Sequence, residues 1–600
     1  VVDDRVYLVN DLGQGELLNQ DLSRNSDGRQ IQETQLDVVV SHIKKVFDEE
    51  NVPRVKSPWL PSLPHMLLHP DISMDQVTDV SAKSKLDLTI TLGLVDIPEQ
   101  QKQIQYVLDF CEDGNFAVYG SSGFGKTFCL SEIMMELAFK NTAEYLHYYI
   151  WDFGNSGLIQ YKNLPHTADY MSLDDMEKLE KCVRILQEEM KRRKRLFADA
   201  SAMNFAMYNQ MTEEKIPAII VFIDNYDVIR EMESELELES VLTQFTRDGA
   251  GLGVYVVITA SRTASVRYTV QNNFKNKIAL FMYDVSDIYD VVGRTQYTPS
   301  EIKGRAMIKL ENVNQIQLYT VADADNLVTY MDTVKQYIDR ITELYSGKLP
   351  DPIPMLPEDL TFADMDKYCN SIPEGHVPIG LETEEVVPKL LDLNVSRHII
   401  VGPAQSGRTN VLKLLLEGIP TTSNIFLLDS QVGELITYRN QPNVTYVSSD
   451  QDSLMQFAAE MERMMQSRRQ AYEEAKEEDA DLTTKQFYEE QERVVVLVEE
   501  WDDLAQYLED YETESIQNVI PMFEQYGITL IATVMNGRFG GYDTATSYIK
   551  EASNGVILGK AGDQSVFDVP YIRGEAERVG FGYLVQRGKL TGIKIPMVQE

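Results

Sequence analysis

The chain contains 600 residues, of which 43% are apolar and 25% are charged. This length exceeds what one hydrophobic core supports, so we expect about two to four globular domains. The 94 acidic and 55 basic residues give a formal net charge of −39. Because such a surface repels a nucleic-acid backbone, we predict no nucleic-acid partner. The four cysteines form no metal-binding pair, which favours reduced, structural thiols.

The sequence carries no signal for entering or crossing a membrane. Its first residues, VVDDR, lack the basic and then apolar pattern of a signal peptide. Its apolar runs are far shorter than a membrane-spanning helix requires. We therefore expect this chain to be soluble and cytosolic.

The first 55 residues match the end of a unit that recurs later in the chain. Residues 5–9 align with residues 315–319, and the helical stretch 36–50 aligns with 327–344. We predict that residues 1–55 are the C-terminal remnant of a preceding module. A proline-containing linker, residues 56–74, follows it.

The next module, predicted over residues 75–345, contains a phosphate-binding loop. Its sequence GSSGFGKT follows an apolar run and precedes a helical stretch, which is the context such a loop requires. In this arrangement backbone amides surround phosphate oxygens, the lysine reaches the β- and γ-phosphates and the threonine ligates Mg²⁺. The alternative is a glycine-rich turn that binds nothing. The predicted ATP-binding residues are Gly120, Ser121, Ser122, Gly123, Phe124, Gly125, Lys126 and Thr127.

A second element of the nucleotide site is predicted about a hundred residues later. The apolar strand 217–223 ends in Asp224, a carboxylate suited to the Mg²⁺ water shell. The following residue is Asn225, where a glutamate would activate the attacking water. An amide orients water but cannot accept its proton, so general-base help of about 10²–10⁴-fold is missing. Asp227 is near in sequence, but its direction is open.

Further side chains of this module are candidates for supporting roles. Thr259 ends an apolar strand and suits a sensor of the γ-phosphate; an ordinary strand-end threonine is the alternative. Arg247, Arg262 and Arg294 are weaker candidates for fingers that reach a neighbouring subunit. The basic run 191–195 lies among acidic residues on a helix and is interpreted as a solvated face.

After a linker at 346–364, residues 365–600 are predicted to form a second, degenerate module. Its loop GPAQSGRT has arginine in place of lysine, and Pro403 is expected to remove one amide from the phosphate cradle. Its strand ends in Glu499 and Glu500, which keeps a catalytic-type carboxylate but lengthens the Mg²⁺ ligand. The loop is a candidate ATP-binding site, with a vestigial loop as the alternative. Its candidate residues are Gly402, Pro403, Ala404, Gln405, Ser406, Gly407, Arg408 and Thr409, with Thr533 as a sensor.

The two modules are copies of one plan. The loops are 282 positions apart, and the helix, the carboxylate strand and the threonine strand recur at offsets of 274 to 275. In each module short β-rich runs alternate with longer helical patterns, which indicates an α/β fold with a mainly parallel sheet between helices. Strands 148–152 and 425–429 both end in aspartate, at the edge where ligands bind such sheets.

These motifs together resemble the FtsK/SpoIIIE class of RecA-like motor ATPases. The supporting residues are the two loop-plus-strand modules, the helix EEMKRRKRLFADA (188–200), the strand GVYVVITASR (253–262) and Gly304-Arg305-Ala306. The PWLPSLP linker (58–64), the tandem modules and the degenerate second loop are similar to the EssC/EccC ATPases of type VII secretion. The acidic charge agrees with this, because DNA-pumping relatives need a basic channel.

The resemblance implies tandem P-loop domains that use ATP and Mg²⁺ on the cytoplasmic face of the cell membrane, with a membrane anchor upstream. It implies other subunits of a membrane secretion complex, a homo-hexamer of the full-length protein, and small helical WXG-type secreted proteins docking on the last module. Asn225, Arg408 and Glu499 depart from an active motor, so weak hydrolysis is expected. The alternatives are an ATP-stabilised scaffold without turnover and, less favoured, a DNA translocase.

Overall fold

A computed structural model of the chain describes residues 5–18, 34–52, 60–77, 85–508, 514–570, 572 and 578–599. These residues form two large mixed sheets, each packed between helices, and one separate hairpin. The predicted α/β class with tandem modules is therefore confirmed. Within these ranges, no helix combines the length and apolar character that a bilayer crossing demands.

The strands fall into a hairpin, a first sheet and a second sheet. The hairpin consists of β1 (Tyr7–Val9) and β2 (Gly15–Leu17). The first sheet contains β3 (Leu67–Leu68), β4 (Thr89–Ile97), β5 (Lys102–Asp109), β6 (Phe116–Tyr119), β7 (Leu146–Asp152), β8 (Thr167–Met171), β9 (Ala218–Asp224), β10 (Val254–Ala260), β11 (Asn276–Leu280), β12 (Arg305–Lys309) and β13 (Val313–Thr320). The second contains β14 (His376–Glu382), β15 (Pro388–Asp392), β16 (Arg397–Gly402), β17 (Asn424–Leu428), β18 (Val444–Val447), β19 (Val494–Val498), β20 (Ile528–Met535), β21 (Asn554–Leu558), β22 (Phe581–Gln586) and β23 (Lys589–Lys594).

The α-helices alternate with these strands. They are α1 (Gln35–Glu49), α2 (Phe110–Asp113), α3 (Lys126–Lys140), α4 (Met176–Asp199), α5 (Phe205–Met211), α6 (Glu235–Asp248), α7 (Tyr268–Gln271), α8 (Val285–Val292), α9 (Leu327–Leu344), α10 (Arg408–Gly418), α11 (Gln451–Glu478), α12 (Thr484–Glu489), α13 (Trp501–Leu508), α14 (Glu514–Val519) and α15 (Thr544–Lys550).

The two sheets share one strand order. The first runs β5-β4-β13-β12-β11-β6-β10-β9-β7-β8, and the second runs β15-β14-β23-β22-β21-β16-β20-β19-β17-β18. In both, the half that carries the phosphate loop is parallel and the other half is antiparallel. The alternation of apolar and helical runs predicted the parallel half. It did not reveal the antiparallel extension, which is built from meandering strands.

The strands nearest the loops are mostly apolar because both faces of the sheet are covered. In β19, Val494, Val496 and Val498 pack into one core cluster, while Val495 and Leu497 pack into the cluster on the other face. Every residue of β9 and β10 is likewise buried. Burial on both faces is typical of parallel sheets in α/β proteins. Polar residues at the ends of such strands are therefore exceptions that need a reason.

The N-terminal hairpin and helix repeat the order β12, β13, α9 of the first module. The strand that contains Tyr7 is the first strand of its hairpin, so it corresponds to β12 and not to residues 315–319 as the sequence alignment suggested. No residue of α1 is buried, and its Val39, Ile43 and Phe47 are exposed. The assignment of residues 1–55 to a preceding module, and the other module limits, remain predictions.

Helix α4 carries contacts between the two modules. The amino group of Lys181 donates to the carbonyl oxygen of Thr383 at 3.0 Å and also to that of Pro354 in the linker. Arg184 forms an ion pair with Glu384 at 3.3 Å. The first module therefore holds the start of the second through backbone carbonyls.

The basic run on α4 is not simply a solvated face, so that interpretation is wrong for Arg193. Its side chain is fully buried and donates to the carbonyl oxygens of Leu252 and Pro217, both at 2.8 Å. Arg468 makes the same type of contact in the second module, to the carbonyls of Tyr526 and Glu492. These buried guanidinium groups attach the long helix of each module, α4 and α11, to the loops that precede its central strands.

Candidate functional site

The loop between β6 and α3 has the shape of a phosphate cradle. Gly123 and Gly125 have φ angles of +87° and +109°, which residues with a Cβ rarely adopt. A Cβ on Gly120 would lie 2.7 Å from the Cβ of Leu280 on the adjoining strand. These glycines let the chain turn tightly from the strand into the first turn of α3, whose positive end favours anions.

Lys126 opens α3 and turns its amino group back into this loop. Its Nζ donates to the carbonyl oxygens of Gly120 and Ser121 at 2.6 and 3.1 Å. Burial lowers the pKa of Lys126, while the Asp224 carboxylate opposes that shift. The loop and its lysine therefore fit a phosphate group, which would replace these carbonyls as the partner of the ammonium.

Asp224 lies at the end of β9 and joins two threonines from neighbouring elements. Thr127 donates its hydroxyl to Asp224 Oδ2 at 2.9 Å, and Thr259 donates to Oδ1 at 2.5 Å. Burial raises the pKa of Asp224, and the two hydroxyls counteract that rise. A hydroxyl and a carboxylate in contact next to a phosphate loop are the hard oxygen ligands that Mg²⁺ prefers. The residues present therefore fit the predicted metal.

Asn225 and Asp227 are both committed to contacts within the protein. Asn225 has a left-handed backbone, with φ of +61°, and its side-chain amide donates to the carbonyl of Phe153 at 3.2 Å. The carboxylate of Asp227 accepts the backbone N–H of Ser261 at 2.8 Å and also the Ser261 hydroxyl. The Asn225 amide cannot accept a proton, and the Asp227 carboxylate is directed at Ser261, which answers the open question about its direction.

Two residues of the site had a weaker sequence signal. Asp152, at the end of β7, accepts the hydroxyl of Tyr170 at 2.9 Å and the N–H of Leu158 at 3.0 Å. Its charge contributes to the raised pKa of Asp224. Gly157 lies so close to the metal-ligand candidate that a Cβ there would be 2.8 Å from Thr127 Cγ2. The aspartate at the strand end was visible in the sequence, whereas the close approach of Gly157 was not.

The second module places its predicted residues in the same positions. Thr409 donates to Glu499 Oε1 at 2.7 Å, as Thr127 does to Asp224. The hydroxyl oxygen of Thr533 accepts the N–H of Glu500 at 2.8 Å, as that of Thr259 accepts the N–H of Asn225. The longer glutamate is therefore accommodated at the end of β19.

The two loops differ at their basic residue. Arg408 is buried, and its Nη2 lies 2.6 Å from Glu500 Oε1. Lys126 instead donates to carbonyl oxygens of its own loop. The positively charged group of the second loop is therefore paired with a carboxylate of the same module.

The expectation that Pro403 removes an amide from the cradle is wrong. The corresponding residue of the first loop is Ser121, and its N–H donates to the carbonyl of Phe281 at 2.9 Å. That amide points at a neighbouring strand, so its loss does not reduce the number available to phosphate. A different departure strains the second loop: Gln405 takes the left-handed position of Gly123, with φ of +59°. This conformation costs roughly 1–2 kcal/mol in a residue with a Cβ.

Glu499 is buried next to a second carboxylate, that of Asp429. Burial and the adjacent Asp429 carboxylate raise the pKa of Glu499 to about 8. Asp429 is itself held by the hydroxyl of Tyr446 at 2.7 Å and by the N–H of Leu435 at 3.2 Å. The raised pKa favours the protonated form of Glu499, which binds a cation more weakly than a carboxylate does.

The three arginine candidates are all exposed side chains of the first module. Arg247 pairs with its neighbour Asp248 at 2.8 Å. Arg262 follows Ser261, which the Asp227 contact attaches to the site. Their role as fingers remains a prediction.

Within the described ranges, one further group has the composition of a metal site. His69, Glu132 and Glu136 are buried between the segment 60–77 and α3, with ligand atoms within 4.8 Å of one another. His69 Nδ1, however, accepts the N–H of Asp71 at 3.1 Å, so the proton of the neutral ring is on Nε2. That proton faces the two carboxylates, at 3.5 and 3.4 Å. The group is therefore better explained as a buried polar contact than as a metal centre.

Comparison with known proteins agrees with this geometry. Residues 76–305, which include the first loop, match the FtsK/SpoIIIE family. The ESX secretion system protein EccC of Geobacillus thermodenitrificans is 34% identical over 604 aligned residues, which cover 100% of this chain and 40% of that protein. The chain thus spans about two fifths of the length of this relative.

Solved structures extend the likeness across both modules. EssC (ATPases 2 and 3) from Geobacillus thermodenitrificans is 33% identical, with a TM-score of 0.79 over 90% of this chain and 100% of that one. Thermomonospora curvata EccC (ATPases 2 and 3) has the same fold at 21% identity, with a TM-score of 0.54 over 90% of this chain and 100% of that one. The chain belongs to the FtsK/SpoIIIE-type ATPases of type VII secretion, the EssC/EccC family.

Proposed function

We propose that the first module is the main Mg²⁺–ATP site of this chain. The observation that carries this proposal is the contact of Asp224 with both Thr127 and Thr259, beside a loop that already encloses the Lys126 ammonium. Burying the charge of a strand-end aspartate costs free energy, and two hydroxyls compensate it only in part. A divalent cation bound with its phosphates would compensate the rest.

Each residue of the first site has a proposed role. The loop amides and Lys126 hold the β- and γ-phosphates, and Thr127 together with Asp224 holds Mg²⁺ through oxygen ligands. Bound Mg²⁺ would neutralise phosphate charge and align the triphosphate. Thr259 links the Asp224 carboxylate to the backbone of Asn225, so it senses whether the metal is present.

The base of the nucleotide is proposed to lie in a cleft next to Gly125. Its wall contains Phe128 and Leu318, and Gly304 lies opposite the loop. The N–H of Gly304 donates to the carbonyl of Phe124 at 3.0 Å, which joins the loop to the segment before β12. An apolar cleft beside the phosphate loop suits a flat aromatic base.

Hydrolysis by this site is proposed to be weak. Asn225 replaces the usual proton acceptor, and Asp227 is held by Ser261. Without a general base the rate falls by about 10²–10⁴-fold. We therefore expect turnover below about 0.1 s⁻¹, against the 1–10³ s⁻¹ of typical enzymes.

Steady-state hydrolysis by the 600-residue chain tests this part of the proposal. We expect slow Mg²⁺-dependent turnover in the wild type and none above background in Asp224→Asn. Asp339→Asn, an exposed aspartate on α9, is the matched control and should behave as the wild type. Fast turnover in the wild type, or equal rates in Asp224→Asn, would argue against the assigned roles.

A second candidate is a non-catalytic scaffold in which ATP stabilises the modules. It is favoured by one observation: the second loop pairs its arginine with a carboxylate of the same module. Undetectable turnover combined with a higher melting temperature in ATP would support the scaffold. Measurable turnover abolished by Asp224→Asn would support the motor.

We propose that the chain supplies cytosolic motor modules to a type VII secretion complex at the cytoplasmic face of the membrane. Its partners are then other subunits of that complex, a homo-hexamer of the full-length protein, and small helical WXG-type substrates at the last module. The motivation is family membership, together with a Thermomonospora curvata EccC structure that contains a signal sequence peptide. ATP binding would be coupled to substrate recognition and export.

Cross-linking of the chain to a small helical secreted protein tests the substrate assignment. We expect cross-links mainly within residues 365–600 and loss of them with a substrate lacking its C-terminal signal. Cross-links confined to the first module would contradict the assignment.

We expect the chain not to bind duplex DNA at physiological salt, because it carries a net charge of −39.

A further inference from the structure

The ion pair between Arg408 and Glu500 lies in the second module where the first module has its candidate nucleotide site. Arg408 follows the phosphate loop at the point where the first module has Lys126, and Glu500 stands where the first module has Asn225. The two charged groups are 2.6 Å apart, with exposed side-chain fractions of 8% and 27%. A pair shielded to this degree is only weakly screened by salt.

The backbone on the Glu500 side of this pair is held by hydrogen bonds and by burial of the next residue. The N–H of Glu500 donates to Thr533 at 2.8 Å, and Glu500 is held in the left-handed conformation with φ of +55°. The next residue, Trp501, is fully buried and donates its Nε1 proton to Thr546 at 3.0 Å. Because the backbone at Glu500 is held in place, we expect the pair to open by rotation of side chains.

Arg408 retains unused donor capacity that points to a ligand. Within the part of the chain that the structure describes, its Nη1 is buried and has no hydrogen-bond partner. The same holds for the Ser406 hydroxyl in the loop. Buried donors without acceptors are costly, and an arginine fork is suited to phosphate oxygens. Glu500 thus satisfies only one of the two terminal nitrogens of the guanidinium.

We propose that Arg408 and Glu500 form an internal latch that closes the second phosphate loop, and that the phosphates of a nucleoside triphosphate open it by replacing Glu500 as the partner of Arg408. This inference rests on the proposed use of these loops for nucleotide. It assigns the second module a weak site in which Glu500 competes with the ligand. The first module has no such competitor, because Asn225 is uncharged.

The latch is tested in the Lys126→Ala background, in which binding by the first module is removed. The probe is ATPγS with Mg²⁺, because it is hydrolysed slowly and separates binding from turnover. Glu500→Gln keeps the side-chain size and removes the charge. A charge-assisted hydrogen bond contributes about 1.5–3 kcal/mol, so releasing Arg408 should tighten binding by about tenfold or more.

The matched control separates the latch from general charge repulsion. Asp502→Asn removes a neighbouring carboxylate that is electrostatically coupled to both Glu500 and Arg408. It should change affinity by less than about threefold, because a partly exposed charge at longer range contributes little. Adding Arg408→Met to Glu500→Gln should cancel the gain, because the arginine is the group that is released.

Two results would overturn the latch: Glu500→Gln within twofold of its background, or an equal gain in Asp502→Asn. If Glu500→Gln does not fold, Glu500→Asn installs the residue that the first module has at this position. Hydrogen exchange of residues 402–412 without nucleotide adds an independent readout and should be faster when the latch is open. Lys126-dependent binding in the wild type is measured separately, so failure of the latch leaves the first site unaffected.

Discussion

Thr259 and Asp224 are joined by a short hydrogen bond in the first site: the threonine hydroxyl donates to Asp224 Oδ1 at 2.5 Å. The hydroxyl oxygen of Thr259 in turn accepts the N–H of Asn225 at 2.9 Å. One hydroxyl therefore connects the candidate metal ligand to the residue that follows it. In the second module Thr533 keeps the backbone contact, while burial and the Asp429 carboxylate raise the pKa of Glu499.

We predict that Thr259→Val uncouples metal from nucleotide binding. Valine preserves the shape but leaves Asp224 Oδ1 and the Asn225 N–H without their shared partner. Mg²⁺-dependent ATP affinity should fall by about tenfold, since a hydrogen bond to a charged group contributes about 1.5–3 kcal/mol. ATP affinity in EDTA should change little. Titrations with and without Mg²⁺ measure both; an equal loss in the two conditions would contradict a role at the metal.

Thr533→Val is the internal control for this prediction. It sits at the equivalent position of the second module, where we expect little contribution to the tight site. Its effect on Mg²⁺-dependent affinity of the wild-type chain should be less than about twofold. A loss as large as that of Thr259→Val would show that the second module holds the tight site.

A pH prediction follows from Glu499, whose pKa is raised to about 8. A carboxyl group whose pKa is higher in the folded than in the unfolded protein binds more protons when folded. Its contribution to stability is therefore lost as pH rises from about 4.5 towards 8. Glu499→Gln removes this loss, so its melting temperature should gain on the wild type steadily between pH 5 and pH 8.5.

Glu489→Gln, an exposed glutamate on α12, serves as the control for that series. Its difference from the wild type should stay constant across the same range. A constant difference for Glu499→Gln as well would mean that Glu499 is ionised throughout. In that case Glu499 could bind a metal ion at neutral pH.

The buried arginine of α4 yields a stability prediction. Arg193→Met keeps the apolar stem but leaves the carbonyl oxygens of Leu252 and Pro217 without a donor. We expect a loss of about 3 kcal/mol in the free energy of unfolding of the first module, within the range for breaking buried ionic contacts. Urea denaturation followed by tyrosine and tryptophan fluorescence measures it.

Arg192→Met is the matched comparison, because Arg192 is exposed and pairs at 2.6 Å with Glu189, the carboxylate that Arg193 also contacts at 2.7 Å. Its cost should stay within about 1 kcal/mol, as for surface ion pairs. Equal costs for the two substitutions would indicate that the carbonyl contacts of Arg193 contribute nothing.

The sequence predicted the parts of the site that depend on local pattern. The glycines of the first loop, Lys126, Thr127 and the strand-end Asp224 lie where the motif places them, because strand, turn and helix follow one another directly. The family likeness of the whole chain was likewise readable from the repeated motifs, because each motif has its own residue pattern.

Contacts between distant residues could not be predicted in this way. The burial of Arg193 depends on carbonyl oxygens of residues 217 and 252, which no local pattern connects to α4. Because proline lacks an N–H, Pro403 was predicted to weaken the phosphate cradle. The corresponding amide of the first module, that of Ser121, points away from the cradle. The approach of Gly157 to Thr127 and the pairing of Arg408 with Glu500 depend equally on tertiary structure.

The most direct test of the central claim is the number of tight ATPγS sites per chain in the wild type, Lys126→Ala and Arg408→Ala, measured by calorimetric titration with Mg²⁺. We predict one tight site in the wild type, its loss in Lys126→Ala and its retention in Arg408→Ala. A tight site that survives Lys126→Ala, or disappears in Arg408→Ala, would contradict the assignment of nucleotide chemistry to the first module.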